Sequence, residues 1–582
     1  MNTKNLWLFG ISYGDATTET SIYGIKRLFR VFFPIYADDL PSYTKQATPY
    51  MGDTMRTTRE PNLFKSLLAI LLALVLLPVR PAYAATYTVN TINDADDGAC
   101  NAAHCSLREA INVANASGSA DTINFGVSGT ITLGSQLPNI QNAGTLTIDG
   151  AGQSVTISGN NAARVFQVNN YAMLNLQNLT VTNGNAPTGG GINNGGTLNV
   201  TNCVFSGNSA PGSSGGALQN TSSGTATITD SAFSNNNAGM GGGISNFNAL
   251  TVTNSAFSGN SASSVGGAIY NQSDGNTLTI INSAFSNNTA TNDGGGIYHS
   301  SGALNVSDSV FSGNRAAISG GGIWNYDTLH VANSSFSGNA ATDVNGNGGG
   351  ILNNGTATIV DSAFSNNTAG TTNGSGGGIR NFGAMAITGS AFSSNHAISG
   401  GGINNYGGTL TVTNSTFSSN SATYGGGIVH SSTGTVNVVN STFSGNSATD
   451  SGGAIRNYGT LTVSNTILAN STAGGNCSGA ITNGGNNLDD GATCGWGAAN
   501  GSMSSANPQL GALADNGGPT QTMALLAGSP AIDGVTYNAP NGCPATDQRG
   551  YARSGVCDIG AYEYDGTPPG TKLFLPLVMR AP

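Results

Sequence analysis

Charge is what this sequence has least of. Charged residues make up 8% of the 582 residues, against about 25% in an average soluble protein. Lysine occurs only once after residue 84, at Lys572, and in that part of the chain 9 basic residues face 22 acidic ones. Binding to nucleic acid needs clustered lysine and arginine against the phosphates. The composition therefore argues against a nucleic-acid partner.

The sequence also lacks an apolar run of membrane-spanning length. A span needs about 20 apolar residues, and the run from Leu67 to Leu77 is much shorter. Basic residues precede this run and Ala82-Tyr83-Ala84 follows it, which is the pattern of a secretory signal peptide. We therefore expect export, cleavage between Ala84 and Ala85, and a mature chain that does not span a membrane.

The segment ahead of the signal is longer than export requires. Signal peptides usually take about 15 to 30 residues, and counting from Met55 gives a signal of 30 residues. We predict that translation starts at Met55, or at Met51. Residues 55–84 are then the signal peptide, and residues 1–54 are an artefact of the gene model.

Cysteine is scarce but regularly placed. The seven cysteines fit an oxidising destination, and six of them fall into close pairs that we expect to be disulfides. The pairs are Cys100 with Cys105, Cys477 with Cys494, and Cys543 with Cys557. Cys203 is left over, and we expect it to be a buried free thiol rather than a nucleophile.

Glycine is abundant instead, with 86 residues, and one phrase recurs through residues 189–472. Each copy carries GG(G/A)I, an alternating strand and then FSxN, with a spacing of 24 to 28 residues between the phenylalanines. Such a period indicates a repeat architecture. The recurring phenylalanines are Phe205, Phe233, Phe257, Phe285, Phe311, Phe336, Phe364, Phe392, Phe417 and Phe443.

The parity of the apolar residues shows where each copy bends. Leu250 and Val252 face one side of a strand, whereas Phe257 lies five residues later and has the wrong parity for a straight continuation. Asn, Asp or Gly, which tolerate left-handed backbone angles, occupy the position between them. We predict three short strands per turn and an all-β, single-stranded, right-handed parallel β-helix. The bend residues are Asn202, Asp230, Asn254, Asn282, Asp308, Asn333, Asp361, Gly389, Asn414 and Asn440.

The interior of this predicted coil would hold stacked phenylalanines and an asparagine ladder. Stacked asparagine amides bond to one another along the axis of cross-β structures. The expected ladder residues are Asn208, Asn236, Asn260, Asn288, Asn314, Asn339, Asn367, Asn395, Asn420 and Asn446.

Residues 85–188 are predicted to be an N-terminal cap followed by the first coils. Ser106 and Glu109 have the spacing of a capping box, and an apolar stripe from Leu107 to Ala114 predicts a short helix that ends near Gly118. Strands are expected at Thr86–Ile92, Thr122–Phe125, Gly129–Leu133, Thr145–Ile148, Val155–Ile157 and Leu174–Val181.

The residues CSLREAI, Cys105 to Ile111, closely resemble the N-terminal signature of bacterial surface proteins with a CSLREA motif. This resemblance implies export and a β-helix. The acidic loop ahead of it, with Asp94, Asp96 and Asp97, is expected to be a solvated turn or a Ca²⁺ site, because that ion prefers closely spaced carboxylate oxygens. No other cofactor is expected.

The GG(G/A)I and FxxN phrases are similar to the repeats of polymorphic outer membrane proteins, which are adhesin-like proteins of chlamydiae. This resemblance implies a place at the cell surface or outer membrane and a role in adhesion. Polysaccharide lyases and polygalacturonases use the same pectate-lyase-like scaffold, so a carbohydrate-active enzyme is the alternative.

Enzymatic chemistry would need carboxylates on neighbouring coils or a basic residue to take a proton. Asp230, Asp308 and Asp361 occupy bend positions, where a structural role is expected. The array's arginines, Arg315, Arg380 and Arg456, are scattered along it, and His299 and His430 are expected at the surface. We predict no catalytic residue.

Residues 473–565 are predicted to be a cap, stapled by two disulfides, that shields the last coil. The segments NPQLGALADNGGPTQTMALLAGSPAID, TDQRG and CDIGAYEY resemble the choice-of-anchor Q domain of bacterial β-helix proteins. Asp547, Arg549, Asp558 and Glu563 are expected to form a buried structural ion pair. Residues 566–582 form a linker and a short apolar tail, which we expect to serve sorting or anchoring at the cell envelope.

The sequence therefore favours an exported, non-catalytic, adhesin-like protein of the bacterial surface. Its expected partners are surface glycans, host or neighbouring cells, or envelope components. The connecting loops are longest at Ala341–Gly348 and Ala369–Gly376, where we expect binding.

Overall fold

The structure, a computed structural model, describes residues 84–141, 144–536, 542–553 and 555–569. The predicted extension 1–54, all but the last residue of the predicted signal peptide and residues 570–582 of the tail lie outside these ranges. No helix in the described ranges combines the length and the apolar character of a membrane span.

The described chain is a parallel β-helix, as predicted. Successive coils stack in parallel register, with Phe311 paired to Phe285 on one side and to Phe336 on the other. Most coils contribute strands to three faces, which we name the Asn, Leu/Val and Phe faces, and many coils add a short corner strand.

The Asn face takes its name from an asparagine at the end of most of its strands. Its strands are Phe166–Val168, Ile192–Asn194, Leu218–Asn220, Ile244–Asn246, Ile269–Ile281, Ile297–Ser307, Ile323–Asn325, Ile351–Asn353, Ile379–Asn381, Ile403–Asn405, Ile428–His430, Ile455–Asn457 and Cys477–Ser478. Two of these, Ile269–Ile281 and Ile297–Ser307, continue without a break into the next face.

The Leu/Val face follows, with inward-pointing apolar residues two positions apart. Its strands are Thr86–Val89, Asp121–Phe125, Thr145–Asp149, Met173–Gln177, Thr197–Thr201, Thr225–Thr229, Leu250–Thr253, Thr328–Ala332, Thr356–Val360, Ala384–Thr388, Thr409–Thr413, Thr435–Val439, Thr460–Ser464 and Thr482–Gly485.

The Phe face lies beyond the bend. Its strands are Gly129–Thr132, Val155–Ser158, Thr180–Thr182, Val204–Ser206, Ala232–Ser234, Ala256–Ser258, Ala284–Ser286, Val310–Ser312, Ser335–Ser337, Ala363–Ser365, Ala391–Ser393, Thr416–Ser418, Thr442–Ser444, Ile467–Ala469, Leu488–Asp489 and Met503–Ser504. The corner strands are Ser209–Ser214, Asn237–Met240, Ser261–Val265, Thr289–Ala290, Arg315–Ala316, Ala340–Ala341, Thr368–Ala369, His396–Ala397, Ser421–Tyr424 and Ser447–Ser451.

The bend between the Leu/Val and Phe faces is left-handed at every predicted position. Its nine Asn and Asp residues have φ between 46° and 52°, and Gly389 has φ 64°. The same geometry corrects one predicted strand. Leu174–Val181 is broken into Met173–Gln177 and Thr180–Thr182, because Asn178 between them has φ 57°.

The glycine triplets bring successive coils into close contact. In the triplet that starts at Gly320, the first residue has φ 66°. A Cβ on the second, Gly321, would lie 2.4 Å from the carbonyl oxygen of Gly349 and 2.5 Å from the amide nitrogen of Ala340. A side chain at this position would push neighbouring coils apart.

The interior has the predicted apolar stack and polar ladder. Neighbouring phenylalanine rings from Phe205 to Phe443 stack with centroids 4.5 to 4.8 Å apart. The ladder asparagines from Asn208 to Asn446 are fully buried, and each Nδ2 donates to the next Oδ1 at 2.9 to 3.0 Å.

The N-terminal cap contains the predicted helix, Leu107–Ser117. Ser106 Oγ accepts from the Glu109 amide, Glu109 Oε2 accepts from the Ser106 amide, and Gly118 ends the helix at φ 65°. Leu107, Ala110, Ile111 and Ala114 pack into the core of the β-helix. The disulfide Cys100–Cys105 lies immediately ahead of the helix.

The C-terminal part differs from the predicted cap. Coils continue past residue 472 to Met503–Ser504, and the disulfide Cys477–Cys494 and Trp496 contact the end of the core. The described residues from 505 onward form the antiparallel pairs Leu510–Ala514 with Thr522–Leu525 and Val535–Thr536 with Val556–Cys557.

This last part, which we call the side module, lies along the flank of the β-helix. Gln548 accepts from Thr416 Oγ1 at 2.6 Å, Thr520 donates to Gly389 O at 2.6 Å, and the Gly560 amide donates to Asn465 O at 2.9 Å. These contacts span several coils. The disulfide Cys543–Cys557 therefore staples a side module and not a cover for the last coil.

Candidate functional site

In most coils the third residue of the Asn-face strand points inward, and these residues together form a second polar ladder that was not predicted. Nδ2 donates to the next Oδ1 at 2.6 to 2.8 Å from Asn194 to Asn271, and again from Asn325 to Asn405. The signal was present in the sequence, because asparagine recurs two residues after the isoleucine of GG(G/A)I.

His299 and His430 belong to this second ladder, and their predicted surface position is wrong. Both are fully buried, because they stand where other copies have the inward-pointing asparagine. His299 Nδ1 accepts from Asn271 Nδ2 at 2.9 Å, its Nε2 faces Gly302 O at 3.2 Å, and burial lowers its pKa. His430 Nδ1 lies 3.2 Å from Asn405 Nδ2. Both histidines are structural.

The middle residue of each Asn-face strand points outward and differs from coil to coil. On consecutive coils it is Tyr270, Tyr298, Trp324, Leu352 and Arg380. The rings of Tyr270 and Tyr298 stack at 5.6 Å, and those of Tyr298 and Trp324 at 4.3 Å. Tyr298, Trp324 and Arg380 are partly exposed, whereas Tyr270 and Leu352 are buried. The outer side of the Asn face therefore carries a ridge of aromatic and guanidinium groups that is only partly accessible.

Three exposed tyrosines lie beside this ridge, each directly after an inward-pointing ladder residue. Tyr326, Tyr406 and Tyr458 are 61%, 47% and 61% exposed. Tyr406 lies three coils beyond Tyr326, and Tyr458 two coils beyond Tyr406. With coils about 4.8 Å apart, the spacings along the axis are about 14 and 10 Å.

Each exposed tyrosine is backed by a flat group that limits its motion. Tyr326 stacks on Trp324 with ring centroids 5.8 Å apart. The guanidinium carbon of Arg380 lies 5.5 Å from the centre of the Tyr406 ring, and that of Arg456 lies 4.8 Å from the centre of the Tyr458 ring. We call Tyr326, Tyr406 and Tyr458 with their backing residues the aromatic ridge sites.

One predicted binding loop reaches the ridge. Asn347, in the loop Ala341–Gly348, accepts a hydrogen bond from Arg380 Nη1. The loop Ala369–Gly376 lies against the first loop, where Asn373 Nδ2 donates to Asn345 Oδ1 at 2.9 Å. The two loops therefore border the middle ridge site.

One carboxyl beside the ridge has an unusual pKa. Burial raises the pKa of Asp293 to about 6, although a hydrogen bond to Ser319 opposes this shift. Burial and, to a smaller extent, the charge of Asp293 raise the pKa of Tyr298. No salt bridge joins Asp293 to a cation in the described ranges, so this group is an unpaired, half-buried acid.

The structure gives each carboxylate of the predicted Ca²⁺ loop its own partner. Asp94 pairs with Arg108 at 2.7 Å, Asp96 accepts from the Gly98 amide at 3.0 Å, and Asp97 accepts from the Ala99 amide at 3.1 Å. The three do not converge on one point, because the loop turns back on its own amides.

A different group in this cap has metal-ligand chemistry. One ligand atom each from Asp97, His104 and Glu109 lies within 4.8 Å of the other two, and His104 Nδ1 is 3.0 Å from Glu109 Oε2. Carboxylate and imidazole together suit a divalent transition metal. Of these three residues, only Asp97 was among the predicted metal ligands.

The predicted charge cluster of the side module is buried and closely paired. Asp547 contacts Arg549 at 2.7 Å, and the guanidinium of Arg549 lies over the Tyr551 and Tyr562 rings. Arg553, which the prediction omitted, contacts Glu563 at 2.7 Å. These groups join distant parts of a small module, which is a structural role.

Cys203 is the free buried thiol that was predicted. Burial raises its pKa to about 11, which keeps the thiol protonated and unreactive near neutral pH. Two surface depressions in the described ranges, of about 480 and 410 Å³, contain one titratable side chain between them, Arg164. Neither gathers an acid and a base.

Comparison with known proteins bears on the array. Four of its segments match the model of the Chlamydia polymorphic membrane protein repeat. They are residues 254–272, 282–300, 308–326 and 440–458, and each contains the phenylalanine, the ladder asparagine and the glycine pair. The repeat and the β-helix together indicate a bacterial surface protein.

The other comparisons add less. No curated protein matches the chain. A solved structure described as the complex structure of XylC with xylose is similar with a TM-score of 0.24 and 9% identity, and the match covers 83% of this chain and 99% of that chain. The resemblances to the CSLREA and choice-of-anchor Q families stay predictions.

Proposed function

We propose that this protein is an exported, non-catalytic β-helix of the bacterial cell envelope that binds glycan chains along its aromatic ridge sites. The three exposed and backed tyrosines support this proposal most directly. An aromatic ring with one polar end can cover the apolar face of a sugar and bond to its hydroxyls. Adhesion to host or neighbouring cells would follow from such binding.

The arrangement of the ridge sites suits an extended ligand. The three tyrosines follow the axis of the rod, so a linear polysaccharide lying along that axis would touch all of them. Arg380 and Arg456 add guanidinium donors, which pair well with carboxylate or sulfate groups. Because the backing residues already restrict the rings, less side-chain entropy is lost on binding.

Attachment is proposed separately. The apolar tail, residues 571–582, would hold the exported protein at the cell envelope or direct its sorting there. Deletion of the tail should release the protein into the medium. Unchanged retention at the surface would count against this role.

A glycan array tests the binding proposal. The mature protein should bind a subset of polysaccharides, and a triple variant with Tyr326→Ser, Tyr406→Ser and Tyr458→Ser should lose at least tenfold in affinity. Tyr171, which is 96% exposed and lies outside the ridge, provides the control substitution Tyr171→Asn, because asparagine tolerates its left-handed φ of 67°.

The same experiment distinguishes the alternative of a carbohydrate-active enzyme. Bound polysaccharides are incubated with the protein and assayed for new reducing ends and unsaturated products. Binding that survives the triple variant would contradict the ridge sites. Release of cleavage products would contradict the non-catalytic proposal.

A further inference from the structure

The N-terminal cap contains a buried carboxylate that accepts hydrogen bonds but forms no salt bridge within the described ranges. Asp121, the first residue of the strand Asp121–Phe125, is 1% exposed. Its oxygens accept from the hydroxyls of Ser117 and Ser119 and from the backbone nitrogen of Ala85, the last at 2.9 Å. No salt bridge to Asp121 occurs in the described ranges. A buried carboxylate without a cation is costly.

The nitrogen of Ala85 is fixed on this carboxylate by the fold. The carbonyl oxygen of Ala85 accepts from the Thr122 amide at 2.9 Å, and the following strand Thr86–Val89 pairs in register with Thr122–Phe125. Ala84, one residue earlier, is exposed. Strand pairing therefore begins at Ala85 and places its nitrogen against Asp121.

We propose that Ala85 is the mature N-terminus and that its α-ammonium forms a buried ion pair with Asp121 that completes the N-terminal cap. Hydrolysis adds water across the Ala84–Ala85 bond, so Ala84 leaves with a carboxylate and Ala85 keeps an amine that takes up a proton near neutral pH. An exported chain is cleaved before it folds, and the new ammonium is then available when the two strands pair.

The ion pair would make cap stability depend on processing. A hydrogen bond between two charged groups is roughly twice as strong as a neutral one, and the uncleaved chain can offer only a neutral amide. Correct cleavage thus stabilises the end of the β-helix, where an open edge would otherwise invite pairing with another chain.

N-terminal sequencing of the exported protein is the first test. The full-length chain is expressed in a bacterial host that exports it, and the product should begin at Ala85. A product that begins at another residue would overturn the proposal.

A double-mutant cycle then tests the ion pair. The protein beginning at Ala85 is compared with one that keeps Ala82-Tyr83-Ala84, each with and without Asp121→Asn, and hydrogen exchange of the strand Thr86–Val89 reports opening of the cap. In the protein beginning at Ala85, Asp121→Asn should increase opening about tenfold or more. In the extended protein the increase should be much smaller.

An equal increase in both proteins would show that Asp121 acts without the terminal ammonium. If Asp121→Asn prevents folding, the two unsubstituted proteins still decide the matter. The protein beginning at Ala85 should open less often and should react more slowly with an amine reagent at its N-terminus. Equal opening and equal reactivity would contradict the ion pair.

Discussion

Two positions of the same strand contrast along the whole array. In most Asn-face strands the inward-pointing residue is an asparagine bonded to the next coil, and His299 and His430 are the two positions where a histidine interrupts this ladder. The middle residue of the same strands changes on consecutive coils from Tyr298 to Trp324 to Leu352 to Arg380. The residue type at the inner position is restricted, because its side chain contacts the equivalent side chains of both neighbouring coils. The outer position is free to differ, so binding chemistry is expected there.

The largest loss of stability should follow from removal of a buried phenylalanine ring. Phe336→Ala removes a ring stacked on both sides, at 4.7 Å from Phe311 and 4.8 Å from Phe364. A large-to-small change of this kind costs about 3–5 kcal/mol. Urea denaturation should show the loss, and glycan binding by the protein that remains folded should be unchanged.

Trp324→Ala, on the outer side of the same coil, is the matched control. It should cost much less stability and should weaken glycan binding through loss of the support for Tyr326. Equal stability losses for the two variants would remove the distinction between inner and outer positions.

A smaller loss is expected from breaking the first polar ladder. Asn339 Oδ1 accepts from both the amide and Nδ2 of Asn314, and Asn339 Nδ2 donates to Phe311 O and Asn367 Oδ1. Asn339→Ala leaves buried donors unpaired, at a cost of about 2–4 kcal/mol in unfolding free energy. Asn305→Ala, at a half-buried position on the outer side of the β-helix, should change the urea midpoint little.

The sequence predicted those parts of the fold that repeat within one copy. The bends at Asn254 and its equivalents, the phenylalanine stack and the first ladder all follow from residue type and parity, because each coil must satisfy the same local geometry. The capping box at Ser106 and Glu109 followed in the same way from a four-residue rule.

Features that depend on residues which do not recur in every copy were not predicted. The aromatic ridge sites arise because Tyr326, Tyr406 and Tyr458 are brought into one line by stacking. The position of the side module depends on contacts such as Gln548 with Thr416, which are 132 residues apart. The residue pattern of one repeat predicts neither the alignment of these tyrosines nor the position of the side module. The burial of His299 does not follow from the repeat pattern, because this position is an asparagine in most other copies and a histidine in only two.

His299→Asn should repair a gap in the second ladder. His299 accepts from Asn271 but passes no donor to the next coil, and Asn325 Oδ1 accepts no hydrogen bond in the described ranges. An asparagine at this position can donate to Asn325 and should add about 1 kcal/mol at pH 8. His430, which interrupts the ladder at the equivalent position of another coil, is left unchanged in this variant.

The gain from His299→Asn should grow in acid. Burial lowers the pKa of His299 in the folded chain, so below about pH 6.5 the unfolded chain binds a proton that the folded chain does not, and the wild type loses stability as pH falls. Thermal unfolding at pH 8 and pH 5 measures the difference. A gain that is the same at both values would contradict a neutral, buried His299.

The smallest change in stability is expected from Asp293→Asn, beside the ridge. The pKa of Asp293 is about 6 in the folded chain, above the value of an unfolded aspartate, which is about 3.9. Stability linked to this group is fully present below the unfolded pKa and is lost as pH rises through about 6. Asp293→Asn should therefore match the wild type at pH 3.5 and be slightly more stable at pH 7.5. The exposed Asp274→Asn, measured by the same urea titrations, shows what removal of a carboxylate does without burial. If Asp293→Asn is still more stable than the wild type at pH 3.5, the gain comes from packing and not from removal of the half-buried charge.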